Sequence, residues 1–224
     1  MNFATLPYEV QFNYLSSLPL RDVLNYCQTS TIAAEICDSE YFWEQRALRD
    51  FNVQLNVLTG DTPLKLYAEL ERLYYNYPGE LAAIALQAGD LEALPNLLHR
   101  AKAVTRENGR IKLTSDVELV LTEAALTGSP NVLEEVLDLF TLPFTEMWAG
   151  QRSDLYDTLR GPFFTALLER GPSVANVLRK YYDPNEDRSE TLDGWIDQWK
   201  FENSPNIISK LREAGVDLRE DDDY

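Results

Sequence analysis

Apolar residues recur at helical spacing from the first turn of the chain. Val10, Tyr14 and Leu18 lie four residues apart, and Leu15 widens the stripe they form. Pro7 stands just before this stripe and suits the first position of a helix, where its missing N–H would have no partner. The pattern therefore predicts an amphipathic helix of about three turns.

Three more helices are predicted before residue 52. Their apolar faces consist of Val23, Leu24 and Cys27 in the second helix, Ile32 and Ile36 in the third, and Trp43, Ala47 and Phe51 in the fourth. Thr29 and Ser30 are candidate caps for the third helix, and the fourth begins near Ser39. Together the four helices carry more apolar surface than such a small unit can bury alone.

The order of residues from Leu6 to Phe51 matches a family pattern. That pattern opens Leu-Pro-x-Glu-Leu, continues through a leucine-rich helix and a Leu-x-Asp-Leu-Leu turn, and closes with Trp followed by Arg-Asp-Phe. The matching positions are Leu6, Pro7, Glu9, Val10, Leu15, Leu18, Leu20, Asp22, Val23, Leu24, Trp43, Arg49, Asp50 and Phe51. The stretch thus resembles an F-box.

The resemblance implies a docking function. F-boxes bind the Skp-type adaptor of cullin-RING ubiquitin ligases through an apolar helical surface. The adaptor-binding residues that it implies here are Leu6, Pro7, Val10, Leu15, Leu18, Leu20, Val23 and Leu24. We therefore expect the segment to hold an adaptor.

Helical spacing of apolar residues is equally typical of an ordinary helical core. In that alternative the F-box-like helices only cap the rest of the chain, and the protein is structural or a scaffold. Exposure of Leu6, Pro7, Val10, Leu15 and Leu18 would favour docking. Burial of these side chains against a helix predicted from Thr62 to Tyr77 would favour the cap.

The second half of the chain repeats a helical pair about four times. Each unit has an Ala- and Leu-rich helix, a Gly or Asn turn and a second helix rich in Leu and Val. Residues 79–219 resemble degenerate ankyrin repeats, and a HEAT-like or other helical-hairpin array is the alternative. Either arrangement implies a stacked solenoid with a binding face.

The predicted fold class is all-α, an N-terminal F-box-like domain followed by an α-solenoid of ankyrin-like helical pairs. The predicted boundaries are 1–51 for the F-box-like domain, 52–78 for a connecting loop and helix, 79–219 for the repeats and 220–224 for an acidic tail. Together the two resemblances imply a substrate receptor for a ubiquitin ligase. The combination is similar to proteins of large DNA viruses that redirect host ligases.

Target recognition is expected between the repeat units. Extra residues fall at Ala103 to Thr114 and at Thr141 to Gly161, which the sequence analysis treats as long loops. Trp and Tyr often anchor partner interfaces. Trp148, Arg152 and Tyr156 are therefore the predicted target-binding residues.

Composition narrows the class of partner. The chain has 224 residues and a formal net charge of −17, with 20 Lys plus Arg against 37 Asp plus Glu. Such a balance argues against nucleic acid and against anionic membranes as partners. It leaves open a third hypothesis, an inhibitor that sequesters a basic protein.

The two cysteines, Cys27 and Cys37, are predicted to be buried thiols in a reducing compartment. No secretory or membrane-spanning pattern is present at the N-terminus or elsewhere in the sequence. The expected location is therefore intracellular, cytoplasmic or nuclear, and that of the host cell if the protein is viral.

The sequence offers little for catalysis. His99 is the one histidine, which excludes most metal and triad arrangements. The segment Asp183–Asp187 begins like a calcium loop, but Arg188 and Gly194 occupy the positions of its turn Gly and bidentate Glu. We expect no enzyme activity, no cofactor and no metal.

Overall fold

A computed structural model describes residues 6–60, 62–127, 129–171, 173–174 and 177. Its α-helices are α1 (Tyr8–Ser17), α2 (Leu20–Cys27), α3 (Thr31–Asp38), α4 (Glu40–Phe51), α5 (Pro63–Asn76), α6 (Pro78–Ala88), α7 (Leu94–Arg100), α8 (Ser115–Thr127), α9 (Pro130–Asp138), α10 (Thr141–Gly150) and α11 (Arg152–Arg170). The strands are β1 (Val104–Glu107) and β2 (Arg110–Leu113). The chain divides between Leu97 and Leu98 into two compact units, described separately below.

Prolines and polar caps set the starts of the first helices. Pro7 and Pro19 are the N-cap residues of α1 and α2, one position earlier than predicted for Pro7. At α3 the Ser30 hydroxyl accepts a hydrogen bond from the Ala33 N–H at 3.1 Å, which confirms the predicted cap. Asn52 adopts a left-handed conformation, with φ of 55°, and ends α4.

The core of the first unit is apolar and aromatic. Its fully or almost fully buried side chains include Leu15, Val23, Ala33, Ile36, Phe42, Trp43, Ala47, Phe51, Tyr67, Leu70 and Leu73. The predicted buried face Trp43, Ala47 and Phe51 on α4 is confirmed. The indole N–H of Trp43 donates to the carbonyl of Cys37 at 2.7 Å, so the largest core side chain also has its polar atom satisfied.

The prediction of two separate buried thiols is wrong. Cys27, at the end of α2, and Cys37, in α3, form a disulfide with a Cα–Cα distance of 6.0 Å. Both residues are half-buried. Helical periodicity assigns each cysteine to the face of its own helix, whereas the packing of α2 on α3 brings the two side chains together.

The helices after residue 52 belong to the same unit as the F-box-like segment. Helix α5 packs on α4, and α6 packs on α5. The Asp90 carboxylate accepts from the Gln54 N–H at 2.9 Å, and the Asn96 amide donates to the Phe51 carbonyl at 3.0 Å. The first predicted repeat pair is thus bonded to the end of α4, and the division between units falls within α7.

The second unit begins with a small β-hairpin; the structure is otherwise mostly helical, which is consistent with the predicted all-α class. Strands β1 and β2 are antiparallel, with Val104 opposite Leu113 and Glu107 opposite Arg110. Asn108 and Gly109 connect them with φ angles of 52° and 78°. Two consecutive positive φ values define the type I′ turn, for which Asn-Gly is the preferred sequence. The predicted loop from Ala103 to Thr114 is therefore ordered.

The second predicted loop is also wrong, because Thr141 to Gly161 lies within α10 and α11. Phe144 and Met147 are buried on α10, and Leu155 and Leu159 are buried on α11, at helical spacing. Helix α11 packs along α8. The structure is thus mostly helical. The later repeats, the acidic segment at 183–187 and the tail at 220–224 lie outside the described residues.

Candidate partner-binding surface

The first helix buries a different face from the one that the apolar stripe suggested. Gln11 and Leu15 are its buried residues, and α1 packs on α2, α3 and α4. Val10 and Tyr14 point to solvent, with 47% and 40% of their surface exposed. A folded helix with exposed apolar residues four positions apart presents an apolar stripe to solvent.

The eight predicted adaptor-binding residues fall into three groups. Pro7 and Val10 are exposed, whereas Leu15 and Val23 are fully buried in the core. The half-buried members are Leu6, Leu18, Leu20 and Leu24. Leu15 and Val23 thus lie beneath the surface, because α3 and α4 pack on α1 and α3 packs on α2. In this conformation no partner can reach them.

We call Leu6, Pro7, Val10, Tyr14, Leu18, Leu20 and Leu24 the α1–α2 surface. Tyr14 joins it by contact with Tyr26 of α2: the rings meet edge to face at 5.6 Å, and the two hydroxyl oxygens are 3.4 Å apart. The hydrogen bond to Tyr26 raises the pKa of Tyr14 above its usual value, so the Tyr14 phenol is protonated at neutral pH. The pair links α1 to α2 at the surface.

A cluster of aromatic side chains at the start of α1 was not predicted from the sequence. Phe12 contacts Tyr8 with ring centroids 6.2 Å apart, stacks on Tyr41 at 5.9 Å and meets Phe42 edge to face at 5.4 Å. Tyr8 and Tyr41 remain 43% and 59% exposed. The i, i+4 spacing of Tyr8 and Phe12 was the signal that could have indicated this group.

Two arginines of α4 hold the end of α1. Arg46 donates to the carbonyl of Leu15 at 3.2 Å and to that of Leu18 at 2.7 Å, and Arg49 donates to the carbonyl of Ser16. The last carbonyls of a helix have no partner within it, and α1 has no basic residue in its own last turn. The guanidinium groups therefore fix where α1 ends and where the following residues begin.

Arg46 also belongs to a small polar cluster in the core. Its Nε lies 3.3 Å from the Asp50 carboxylate and donates to the Tyr67 hydroxyl at 3.2 Å. That hydroxyl donates in turn to Asp50 at 2.7 Å. Burial raises the pKa of Tyr67 well above its usual value, so the phenol keeps its proton and bridges the ion pair.

The predicted target-binding residues are placed only by their backbone. Trp148 lies in α10, and Arg152 and Tyr156 lie in α11. Their side chains are outside the described part of the structure, so their role stays a prediction. Across the described residues, no group of three or more His, Cys, Asp or Glu could hold a metal ion.

Comparison with known proteins adds no relative. No family model, no curated protein and no solved structure matches the chain. Within the described residues, no helix is both long and apolar enough to cross a membrane.

Proposed function

We propose that the protein is a non-enzymatic receptor that docks a Skp-type adaptor of a cullin-RING ubiquitin ligase through the α1–α2 surface and binds a target with its second half. The F-box-like order of residues from Leu6 to Phe51 supports the adaptor. The observation that carries the proposal is the exposure of Val10, at 47%, on a helix whose opposite face is fully packed.

The surface has the chemistry that adaptor docking requires. Pro7, Val10 and Tyr14 are exposed, and the leucines of the α1–α2 surface are half-buried. Burying such side chains against a partner gains roughly 25 cal/mol per Å² of apolar area. The inner residues Leu15 and Val23 support this surface through core packing and do not touch the partner.

The test is complex formation between the purified full chain and the Skp-type adaptor of its host, measured by size-exclusion chromatography and calorimetry. A Val10→Asp, Leu24→Asp variant changes one exposed and one half-buried residue of the α1–α2 surface. Leu142→Asp is the matched control, because Leu142 is 69% exposed in the second unit. We expect the wild type and the control to form a one-to-one complex and the double variant to lose it.

A second candidate is a scaffold in which the F-box-like helices are only structural. It is favoured by the packing of α5 on α4 and by the bond between Asn96 and the Phe51 carbonyl, which join these helices to the following ones. Failure of the folded wild-type chain to bind the adaptor would reject the receptor proposal and favour the scaffold. Thermal unfolding of each protein establishes that it is folded.

A further inference from the structure

The β-hairpin has two edges that differ in their hydrogen bonding. In a hairpin with a two-residue type I′ turn, the residues flanking the turn bond to each other, and the next pair directs its backbone groups outward. Arg106 and Ile111 form that next pair, and Val104 and Leu113 form another one two residues further on. One residue beyond Val104 and Leu113, the Thr114 N–H donates to the Ala103 carbonyl at 3.0 Å, as this alternation requires.

A side chain already occupies the β2 edge. The Gln151 amide oxygen accepts from the Ile111 N–H at 2.7 Å, and its amide nitrogen donates to the Ile111 carbonyl at 2.7 Å. The same nitrogen donates to Asp154 at 2.8 Å. Gln151 therefore replaces a neighbouring strand at the middle of β2.

Within the described residues, no further strand pairs with the β1 edge. Val104 and Arg106 direct two N–H and two C=O groups away from β2, and no other backbone group of the described chain bonds to them. Arg106 is exposed, with 61% of its side chain accessible. Outward N–H and C=O groups on a strand edge can pair with an added strand.

The charge around this edge is opposite to that of the whole chain. Between residues 100 and 112 there are five basic side chains and one acidic side chain, all exposed: Arg100, Lys102, Arg106, Arg110, Lys112 and Glu107. The full chain has a net charge of −17. The hairpin segment thus carries a local excess of basic side chains on an acidic protein, although Arg106 pairs with Glu146 and Lys112 with Glu107.

We propose that the β1 edge is a docking strand for an extended, acidic segment of a partner protein. The segment adds a third strand beside β1, bonds to the outward groups of Val104 and Arg106, and places carboxylates near the hairpin's basic side chains. Its identity as part of a ubiquitination target rests on the proposed function; the binding itself does not.

Charge also disfavours a second copy of the chain and nucleic acid as occupants of the β1 edge. Two copies of β1 paired at their edges would bring Arg106 and its neighbours close to the same basic residues, which costs electrostatic energy. Nucleic acid is repelled by the remainder of the chain, because its overall charge is strongly negative. An acidic peptide of a few residues makes contact with the hairpin alone.

The probe is a fluorescent eight-residue peptide of alternating Glu and Val, compared with one of alternating Lys and Val, in anisotropy titrations with the full chain. We expect the acidic peptide to bind at least about tenfold more tightly and its binding to weaken as salt rises. Two further acidic peptides carry N-methyl groups on every Glu or on every Val. Because alternate residues of an added strand face the edge, one of them should lose binding and the other should keep it.

Matched variants separate local charge from total charge. Arg110→Glu, Lys112→Glu should weaken binding of the acidic peptide about tenfold. Arg21→Glu, Lys65→Glu makes the same change in net charge at two exposed residues of the first unit and should leave binding unchanged. Adaptor binding, measured on the hairpin variant, should persist, so that failure of this proposal and failure of the proposed function are distinguishable.

Four results would overturn the proposal. These are equal binding of the acidic and basic peptides, equal effects of the two methylation patterns, tighter binding of a single-stranded oligonucleotide than of the acidic peptide, and peptide binding that occurs only after residues 220–224 are removed. The last result would assign the edge to the chain's own acidic tail.

Discussion

Arg46 donates from Nη2 to the carbonyl oxygen of Leu18 at 2.7 Å, although only 4% of Arg46 is exposed. A buried cation of α4 thus bonds to the residue that ends α1. Leu18 belongs to the α1–α2 surface, so the position of that surface depends on a residue beneath it. Arg46 lies outside the positions matched to the F-box pattern, and its role is visible only in the structure.

Replacing Arg46 with Met should lower the free energy of unfolding by about 3 kcal/mol. The carbonyls of Leu15 and Leu18 lose their bonds to the guanidinium, and Asp50 loses its buried cationic partner while it keeps its bonds to Arg49 and Tyr67. Urea denaturation followed by circular dichroism measures the change. Arg49→Met is the control. It should lower the free energy of unfolding by about 1 kcal/mol or less, since 44% of the Arg49 side chain is exposed. Equal losses in the two variants would contradict the role given to Arg46.

Tyr67 should make the fold sensitive to high pH. Burial, the largest cause, raises its pKa above the ordinary value of 10.0, so the folded state holds a proton that the unfolded chain releases. Stability from this group is fully present below about pH 10 and falls above it, by up to about 1.4 kcal/mol per pH unit. Urea titrations of wild type and Tyr67→Phe from pH 8 to 11 test this, since the variant should show a shallower decline. Parallel declines would exclude Tyr67 as the cause.

The Cys27–Cys37 disulfide should stabilise the first unit by lowering the conformational entropy of the unfolded chain. The cysteines are ten residues apart, and closing a loop of that size is worth about 3 kcal/mol in the chain-entropy model. Dithiothreitol should lower the melting temperature of the wild type and leave that of a Cys27→Ser, Cys37→Ser variant unchanged. A thiol titration that finds two free cysteines in the unreduced protein would show that the bond is absent in solution.

Gln151→Glu should loosen the hairpin while changing few atoms. The new carboxylate cannot donate to the Ile111 carbonyl, and it faces the Asp154 carboxylate where the amide nitrogen donated at 2.8 Å. Hydrogen exchange of the amides in residues 104–113 should become faster, with a loss of about 1–3 kcal/mol in local stability. The matched variant Gln151→Glu, Asp154→Asn removes the repulsion between carboxylates and should recover part of the protection. Unchanged exchange in Gln151→Glu would show that this side chain does not support β2.

The sequence predicted the first unit well because apolar spacing directly marks helices. The buried face Trp43, Ala47 and Phe51 and the cap at Ser30 follow from local rules. The same spacing could not say which residues of α1 face the core, since Gln11 is buried and Val10 is exposed. That choice depends on tertiary packing with α3 and α4.

The hairpin could have been predicted from its local sequence, whereas the disulfide could not. Asn108-Gly109 between two segments of alternating polar and apolar residues strongly indicates a hairpin. The prediction of helical repeats assigned this stretch to a loop instead. The approach of Cys27 to Cys37 depends on how α2 packs against α3, which periodicity does not specify. For the predicted surface on α1 and α2, the structure was needed to separate exposed residues such as Val10 from buried residues such as Leu15.

The bonds from Gln54 to Asp90 and from Asn96 to the Phe51 carbonyl limit how the chain can be cut. Fragments that stop at residue 51 or 78, where sequence boundaries would place the end of a module, both lack Asp90 and Asn96. The shorter one also exposes the surface that α5 covers on α4, and the longer one exposes the surface that α6 covers on α5. We therefore expect that the F-box-like helices do not fold as a separate domain in this protein. Fusions that aim to test their proposed adaptor binding on another carrier need to include the chain through α7.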